Sequence, residues 1–313
     1  MINHVLITGG LGFIGHHLVK KFLDMDYYVT VLDNLSNHVG HAALTKYRLE
    51  YIDHKKVNFV NSSCKMSFAI REKIKTPPQL IIHLAAYPNQ AAVANNKINA
   101  ISSMSSDTSS MLDLAGEYNS KFVYVSSSMT YGNFTQDPMP ESQPLKPINL
   151  YGLLKKHSEE LVKLTSSNYV IVRPSAVYGP GDNRNRVIAK WINAALNDDM
   201  IYVNDDSAAL DFTHVRDLAN GIYAAAIYGP AGETFNLTYG HARTLVYAAQ
   251  MIKHMTKSSS TLAIVNDRKT DDPQRGSLDI NHARKTIGFN PIITLEQGLE
   301  DYINWIIRHK HVY

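Results

Sequence analysis

Cysteine is the scarcest residue. Cys64 stands alone among 313 residues, which excludes an intramolecular disulfide and a cysteine-based zinc cluster and points to a reducing compartment. No segment approaches the ~20 apolar residues of a membrane span. The start, Met1-Ile2-Asn3-His4-Val5, lacks the basic n-region and apolar core of a signal peptide. The expected setting is therefore cytoplasmic, with no membrane partner. Strong charge is missing too. The 31 Lys+Arg against 28 Asp+Glu leave a formal +3, too small and scattered for a nucleic-acid footprint. The 14 histidines show no HExxH spacing, so no metal is expected. What is present is a globular composition, 44% apolar and 19% charged. The chain is long enough for a large core and about two domains.

Short apolar, β-branched or aromatic runs recur at 4–8, 28–32, 57–60, 80–84, 122–126 and 169–173. Stretches of helical character separate most of them, at 13–24, 42–50, 104–118 and 152–167. This alternation predicts an α/β protein with a doubly wound parallel sheet. The Ser-rich stretch 102–110 contains no Gly or Pro. Ile101, Met104, Thr108, Met111 and Leu112 keep helical spacing through it, so it reads as a polar helix face rather than a linker. After about residue 175, turns such as Gly179-Pro180-Gly181 and Gly229-Pro230 loosen the pattern. The division expected is 1–175 for nucleotide binding and catalysis, and 176–313 mainly for a smaller mixed α/β substrate lobe, with some later segments returning to the sheet.

Thr8-Gly9-Gly10-Leu11-Gly12-Phe13-Ile14-Gly15 lies between the first strand and an amphipathic helix. Gly10, Gly12 and Gly15 fit GxGxxG; Gly9, Gly12 and Gly15 fit GxxGxxG. Glycines there permit a tight turn, close approach of a pyrophosphate and tight helix–strand packing. The following helix offers free N–H groups and its positive dipole end. Asp33 ends the second strand, 18 residues after Gly15, where a carboxylate can hold the ribose hydroxyls and repel a 2′-phosphate. No Arg or Lys occurs from Asp33 to Thr45. NAD is thus favoured over NADP.

Tyr151-Gly152-Leu153-Leu154-Lys155 sets a phenol and an ammonium at i and i+4, on one helix face. Making a phenolate at pH 7 costs roughly 4 kcal/mol for an ordinary tyrosine, and a nearby cation lowers that cost. The pair by itself is common. Its position after the Gly-rich loop and the cluster Ser126-Ser127-Ser128 at a strand end makes it a candidate general base with a hydroxyl partner.

Together these features resemble the extended short-chain dehydrogenase/reductase family, and within it the nucleotide-sugar 4-epimerases. The matching segments are TGGLGFIG (8–15), VLDNLSN (31–37), HLAA (83–86), VSSSMTYG (125–132) and PINLYGLLK (147–155). RPSAVYGPGD (173–182), LDFTHVRDLANG (210–221) and RGSLDINHARKTIGFNP (275–291) follow in the same order. The resemblance implies a Rossmann-type domain holding NAD and a lobe holding a nucleotide-diphosphate sugar, a UDP-sugar above others. It implies Ser127, Tyr151 and Lys155 as the catalytic set. It places Gly9, Gly12, Phe13, Ile14, Gly15, Asp33, Asn34, Leu84, Ala85, Ala86, Tyr151 and Lys155 at the cofactor, with His83 lining it as well. Ser127, Ser128 and Arg275 fall at the substrate, and pairing of 104–118 with 152–167 between copies implies a homodimer.

Several positions depart from the pattern. Ser128-Met129-Thr130 replace the acidic residues that sugar 4,6-dehydratases carry after the catalytic hydroxyl, so dehydration is not expected. Ala176 stands where epimerases usually have Asn, and Leu210 where they usually have Arg. Arg184 and Arg186 are candidates to replace that second diphosphate contact. The reading is an NAD-dependent 4-epimerase working through a 4-keto sugar. A one-way oxidoreductase on a keto-sugar or another alcohol, and a non-catalytic NAD-binding sensor, are the alternatives.

Overall fold

The computed structural model describes residues 3–36, 42–65, 67–74, 76–265, 267 and 270–312. Asn37, the last residue of the VLDNLSN segment, lies outside them. Seven strands form one parallel sheet: β1 (His4–Thr8), β2 (Tyr28–Asp33), β3 (Val57–Asn61), β4 (Leu80–His83), β5 (Lys121–Val125), β6 (Tyr169–Pro174) and β11 (Glu233–Leu237). Their order is β11-β6-β5-β4-β1-β2-β3. This is the Rossmann-like, doubly wound sheet expected, and the strand order reverses beside β1, where such sheets bind ligands.

Both faces are covered, so the strands alternate two apolar sets. Val5, Ile7, Leu80, Ile82, Val123, Val125, Val170 and Val172 pack with helix α1 (Phe13–Asp24) and with α8 (Val215–Tyr228). Leu6, Ile81, Phe122, Tyr124 and Ile171 point the other way, onto α5 (Lys97–Glu117) and α6 (Leu150–Thr165). In α5, Met104, Thr108, Met111 and Leu112 are buried, whereas Ile101 is exposed. The serine stretch is indeed a helix. It begins earlier than the periodicity suggested and follows the short α4 (Gln90–Asn95), whose first turn is capped by Asn89 accepting from the Ala92 N–H at 2.9 Å. The asparagines at 89, 95 and 96 give no clear sign of these helix starts in the sequence, because such side chains favour caps and turns alike.

β11, from the later half of the chain, pairs with β6 in register Phe235↔Val172. A separate core gathers Trp191 and Ile192 of α7 (Val187–Leu196), Ala248 and Ile252 of α9 (Leu245–Thr256), and Leu299, Tyr302 and Trp305 of α11 (Leu295–Arg308). Among the described residues no helix is long and apolar enough to cross a membrane.

Burial sets an acid limit on this fold. His16 is held well below its ordinary 6.5, His17 at about 4 and His83 at about 3, chiefly because charging them would cost hydration. The unfolded chain takes up those protons first, so these groups withdraw stability as pH falls below 6.5 and stop only below their folded values. Burial raises Asp107, Asp182 and Asp211 from 3.8 to about 6. There the folded chain takes the proton first, which adds stability as pH falls from about 6 to 3.8. The two trios oppose each other in that window. Melting temperatures recorded between pH 3 and 7 should therefore change little down to about pH 4 and drop steeply below it. A collapse already complete at pH 5 would contradict this balance.

Candidate functional site

The site is built on the carboxyl ends of β1, β2, β4, β5 and β6. After β1 the chain turns through Gly9, at φ +67°. Gly9 N–H donates to Leu32 O at 2.7 Å and Gly12 N–H to Gly9 O at 2.9 Å. A Cβ on Gly9 would sit 3.0 Å from the Ala85 backbone nitrogen, and one on Gly15 would overlap Gly9 O and lie 2.8 Å from Gly10 Cα. Glycine is thus required by β4 on one side and α1 on the other. α1 has no side-chain cap and no acidic residue in its first turn, which leaves its N–H groups and dipole for an anion. Phe13 and Ile14 are half-buried at its start.

Asp33 is buried at the end of β2. Oδ2 accepts from Leu11 N–H at 3.0 Å and Oδ1 from Leu35 N–H at 2.9 Å, so the carboxylate also holds the glycine loop's shape. Asn34 is exposed and folds back to accept from Ser36 N–H. Leu84, Ala85 and Ala86 follow β4 half-exposed, and Ala85 N–H donates to Thr8 Oγ1 at 3.1 Å. His83 stands behind this surface. Its Nδ1 lies 2.8 Å from Thr8 Oγ1 and its Nε2 3.3 Å from Thr108 Oγ1, so the neutral ring ties β1 and β4 to α5.

β5 runs into a 3₁₀ turn, Ser128–Tyr131, whose cap is Ser127 accepting from Met129 N–H at 3.2 Å. Opposite it, Asn149 caps α6 by accepting from Gly152 N–H at 2.8 Å. Gly152 packs so closely on the Met129 carbonyl that no Cβ would fit. This pulls the first turn of α6 onto the serine turn and brings Tyr151 to Ser127. Burial raises the Tyr151 phenol, while the Ser127 hydroxyl and the Arg186 guanidinium pull it down. Lys155, one turn on, is buried; its Nζ donates to Val125 O at 2.8 Å and sits 5.1 Å from the Tyr124 ring centre. Burial lowers it to about 8, opposed by Glu159. Ser128 is fully buried, and its hydroxyl has no hydrogen-bond partner.

The two arginines after the GPGD turn separate. Arg186 lies 3.8 Å from Asp182 and acts on Tyr151. Arg184 is exposed and lines a shallow groove on the outer side of α7 with Lys190 and Asn197. Arg275 is half-buried in a segment laid across the site. Asn149 Nδ2 and Gln90 Nε2 donate to Asp271 O, Gln274 N–H to Asn133, and Leu278 N–H to the Asp211 carboxylate at 3.0 Å. Asp211 also accepts from Thr238 Oγ1 and Gly240 N–H, so it staples that segment down. Leu210 beside it is half-buried against the C-terminal core. Sequence reasoning missed Asn149, Gly152 and Asp211. A capping Asn before the Tyr–x–x–x–Lys helix was the one signal available.

Ala176 sits at φ +39°, a conformation that strains a residue bearing Cβ. Ala176→Gly is expected to raise stability by about 1 kcal/mol, read as a higher denaturant midpoint with an unchanged slope.

The glycine cradle, the uncapped α1 and the buried Asp33 fit a dinucleotide. The sequence pattern of the NAD dependent epimerase/dehydratase family matches residues 5–238. The chain belongs to this family. The chain is 26% identical to UDP-glucuronic acid decarboxylase 1 of Xenopus tropicalis, over 97% of this chain and 72% of that protein. It superposes with TM-score 0.87 on the UDP-glucose 4-epimerase of Thermotoga maritima, solved with UDP-glucose, at 25% identity over 97% and 99% of the two chains. The UDP-N-acetylglucosamine 4-epimerase of Methanobrevibacter ruminantium, in complex with UDP-N-acetylmuramic acid, gives TM-score 0.86 at 25% identity over 98% and 99%. The NAD-dependent family thus contains epimerases, decarboxylases and dehydratases.

Proposed function

We propose that this enzyme inverts C4 of a nucleotide-diphosphate sugar, a UDP-sugar above others. The observation that carries the reading is the meeting of Ser127 and Tyr151 above a buried Lys155, with no carboxylate in the adjoining turn. NAD, when bound, would supply a reversible acceptor for the C4 hydride. Gly9, Gly12, Gly15 and the start of α1 would hold its pyrophosphate, Asp33 the ribose, and Leu84–Ala86 the face beyond. Tyr151, assisted by Ser127, takes the C4 hydroxyl proton and gives it back after the 4-keto sugar has turned over. Lys155 supplies positive charge beneath the pair. Arg186 and Arg275 meet the diphosphate, where charge-assisted hydrogen bonds are strongest, while Ser128, fully buried, stays out of reach of the sugar.

Elimination of water needs a further acid and base at neighbouring carbons. The turn after Ser127 provides Ser128, Met129 and Thr130, all buried, and none can do that work. Inversion needs none of them. Ala176 and Leu210 favour a second reading, since both remove polar contacts to a nucleotide sugar. In that reading the same proton site serves one-way oxidation of another alcohol or reduction of a keto-sugar.

The discriminating experiment incubates the protein with UDP-, GDP- and dTDP-sugars and follows sugar products and NADH absorbance together. Isomerised sugar without net NADH supports inversion. Stoichiometric NADH supports the second reading, and an inert panel overturns the nucleotide-sugar assignment.

A further inference from the structure

Behind the serine turn lies a buried polar chain that the proton site does not use directly. Glu159 is fully buried two turns along α6 from Tyr151 and one from Lys155. Its Oε1 accepts from Ser126 Oγ at 2.5 Å and from Arg173 Nε at 3.0 Å, and its Oε2 from Arg173 Nη2 at 2.6 Å. Arg173, on β6, spends Nη1 on Tyr131 OH at 2.9 Å. Tyr131 OH donates to Asn236 Oδ1 on β11 at 2.8 Å. The chain thus ties α6, both ends of the serine turn, and two neighbouring strands to one carboxylate.

We propose that Glu159 is a positioning residue of the active site: its carboxylate fixes Ser126, and with it the neighbouring Ser127, against the helix that carries Tyr151 and Lys155. A buried ion pair is costly to form and is weak evidence for stability alone. Here the pair is bidentate, as an Arg–carboxylate fork requires, and Oε1, which already receives Arg173 Nε, also accepts from the serine next to the candidate proton carrier. The same carboxylate opposes the loss of charge that burial imposes on Lys155. The other titratable groups around Lys155 are Tyr151 on α6, Tyr124 beneath it on β5 and His83 on β4, with Arg173 beyond Glu159. α5 presents the non-titrating Thr108 to His83 and Ser158.

The consequence for turnover rests on the epimerase reading; the Lys155 titration does not. Three variants of the NAD-loaded protein test both. Ser126→Ala keeps the ion pair and removes only its grip on the turn. Turnover should fall about tenfold to a hundredfold, with KM little changed and NAD still bound. Glu159→Gln keeps the shape and removes the charge. Glu159→Leu with Arg173→Met replaces the pair by apolar side chains and keeps the test open where the single variant does not fold. In [13Cε]lysine spectra Lys155 should titrate at about 8 in the parent protein and lower in whichever Glu159 variant folds, because the carboxylate that favours its charge is gone. An unmoved Lys155 midpoint, or Ser126→Ala turning over like the parent, overturns the proposal. A parent protein inert toward every sugar overturns the epimerase reading instead, and the Lys155 midpoint still decides for or against Glu159.

Discussion

Tyr151→Phe is expected to lower turnover by 10²–10⁴-fold, the range of a lost general base, while NAD binding and melting temperature stay near those of the parent. The ring packs against the apolar cluster of Val93, Ala100, Met104 and Leu154, and phenylalanine keeps that packing. Only the phenol oxygen goes, with its link to Ser127 and its exposure to the Arg186 charge. Ser127→Ala would be less clean, because that hydroxyl also caps the turn through Met129 N–H. The expected split is a large fall in kcat, little change in KM and an unchanged bound-NAD spectrum. A variant that still interconverts sugars within a few-fold of the parent would remove Tyr151 from the proton path.

The geometry refines how that phenol is tuned. In the sequence, Lys155 is the obvious cation for Tyr151. In the fold, Lys155 hydrogen-bonds Val125 O, and the side chains that favour the phenolate are Ser127 and Arg186. Arg186 comes from the GPGD turn, in the later half of the chain. Residue spacing reports which groups share a helix face, and cannot report which distant turn folds over it.

The same distinction explains what was legible. Strand periods, the glycine spacing and the strand-end Asp33 are local, and each appears in the fold within a residue or two of where the sequence places it. The α4–α5 junction was not legible, since asparagines favour turns as readily as helix starts, and Asn96 there makes no side-chain cap. His83 was misread for another reason. It lies in the segment that passes the cofactor surface, but its ring turns inward to Thr8 and Thr108, and direction along a strand end is decided by packing. Glu159, Arg173 and Asn236 are separated by 14 to 77 residues and meet only because β6 lies between β5 and β11. Pairing of this kind has no sequence signature in a single chain.

Gly15→Ala should cost at least 1–3 kcal/mol as an overpacking change and abolish NAD retention. The added Cβ would overlap Gly9 O and crowd Gly10 at 2.8 Å. Relief requires α1 to back away from the loop, yet α1 is held by Leu18, Val19 and Phe22 in the main core. The loop cannot yield instead, since Gly9 N–H is bonded to Leu32 O and Leu11 N–H to Asp33. Moving α1 withdraws its N–H groups from the pyrophosphate, so stability and cofactor affinity should fall together. Gly116→Ala supplies the contrast. It lies near the end of α5 with nothing within 4 Å of an added Cβ, and helix propensity alone should make it more stable, by up to about 1 kcal/mol. Urea melts with and without added NAD separate the two effects. The parent's midpoint should rise with NAD and that of Gly15→Ala should not. A Gly15→Ala protein that still gains stability from NAD would show that the close approach of helix and loop is not what binds the cofactor.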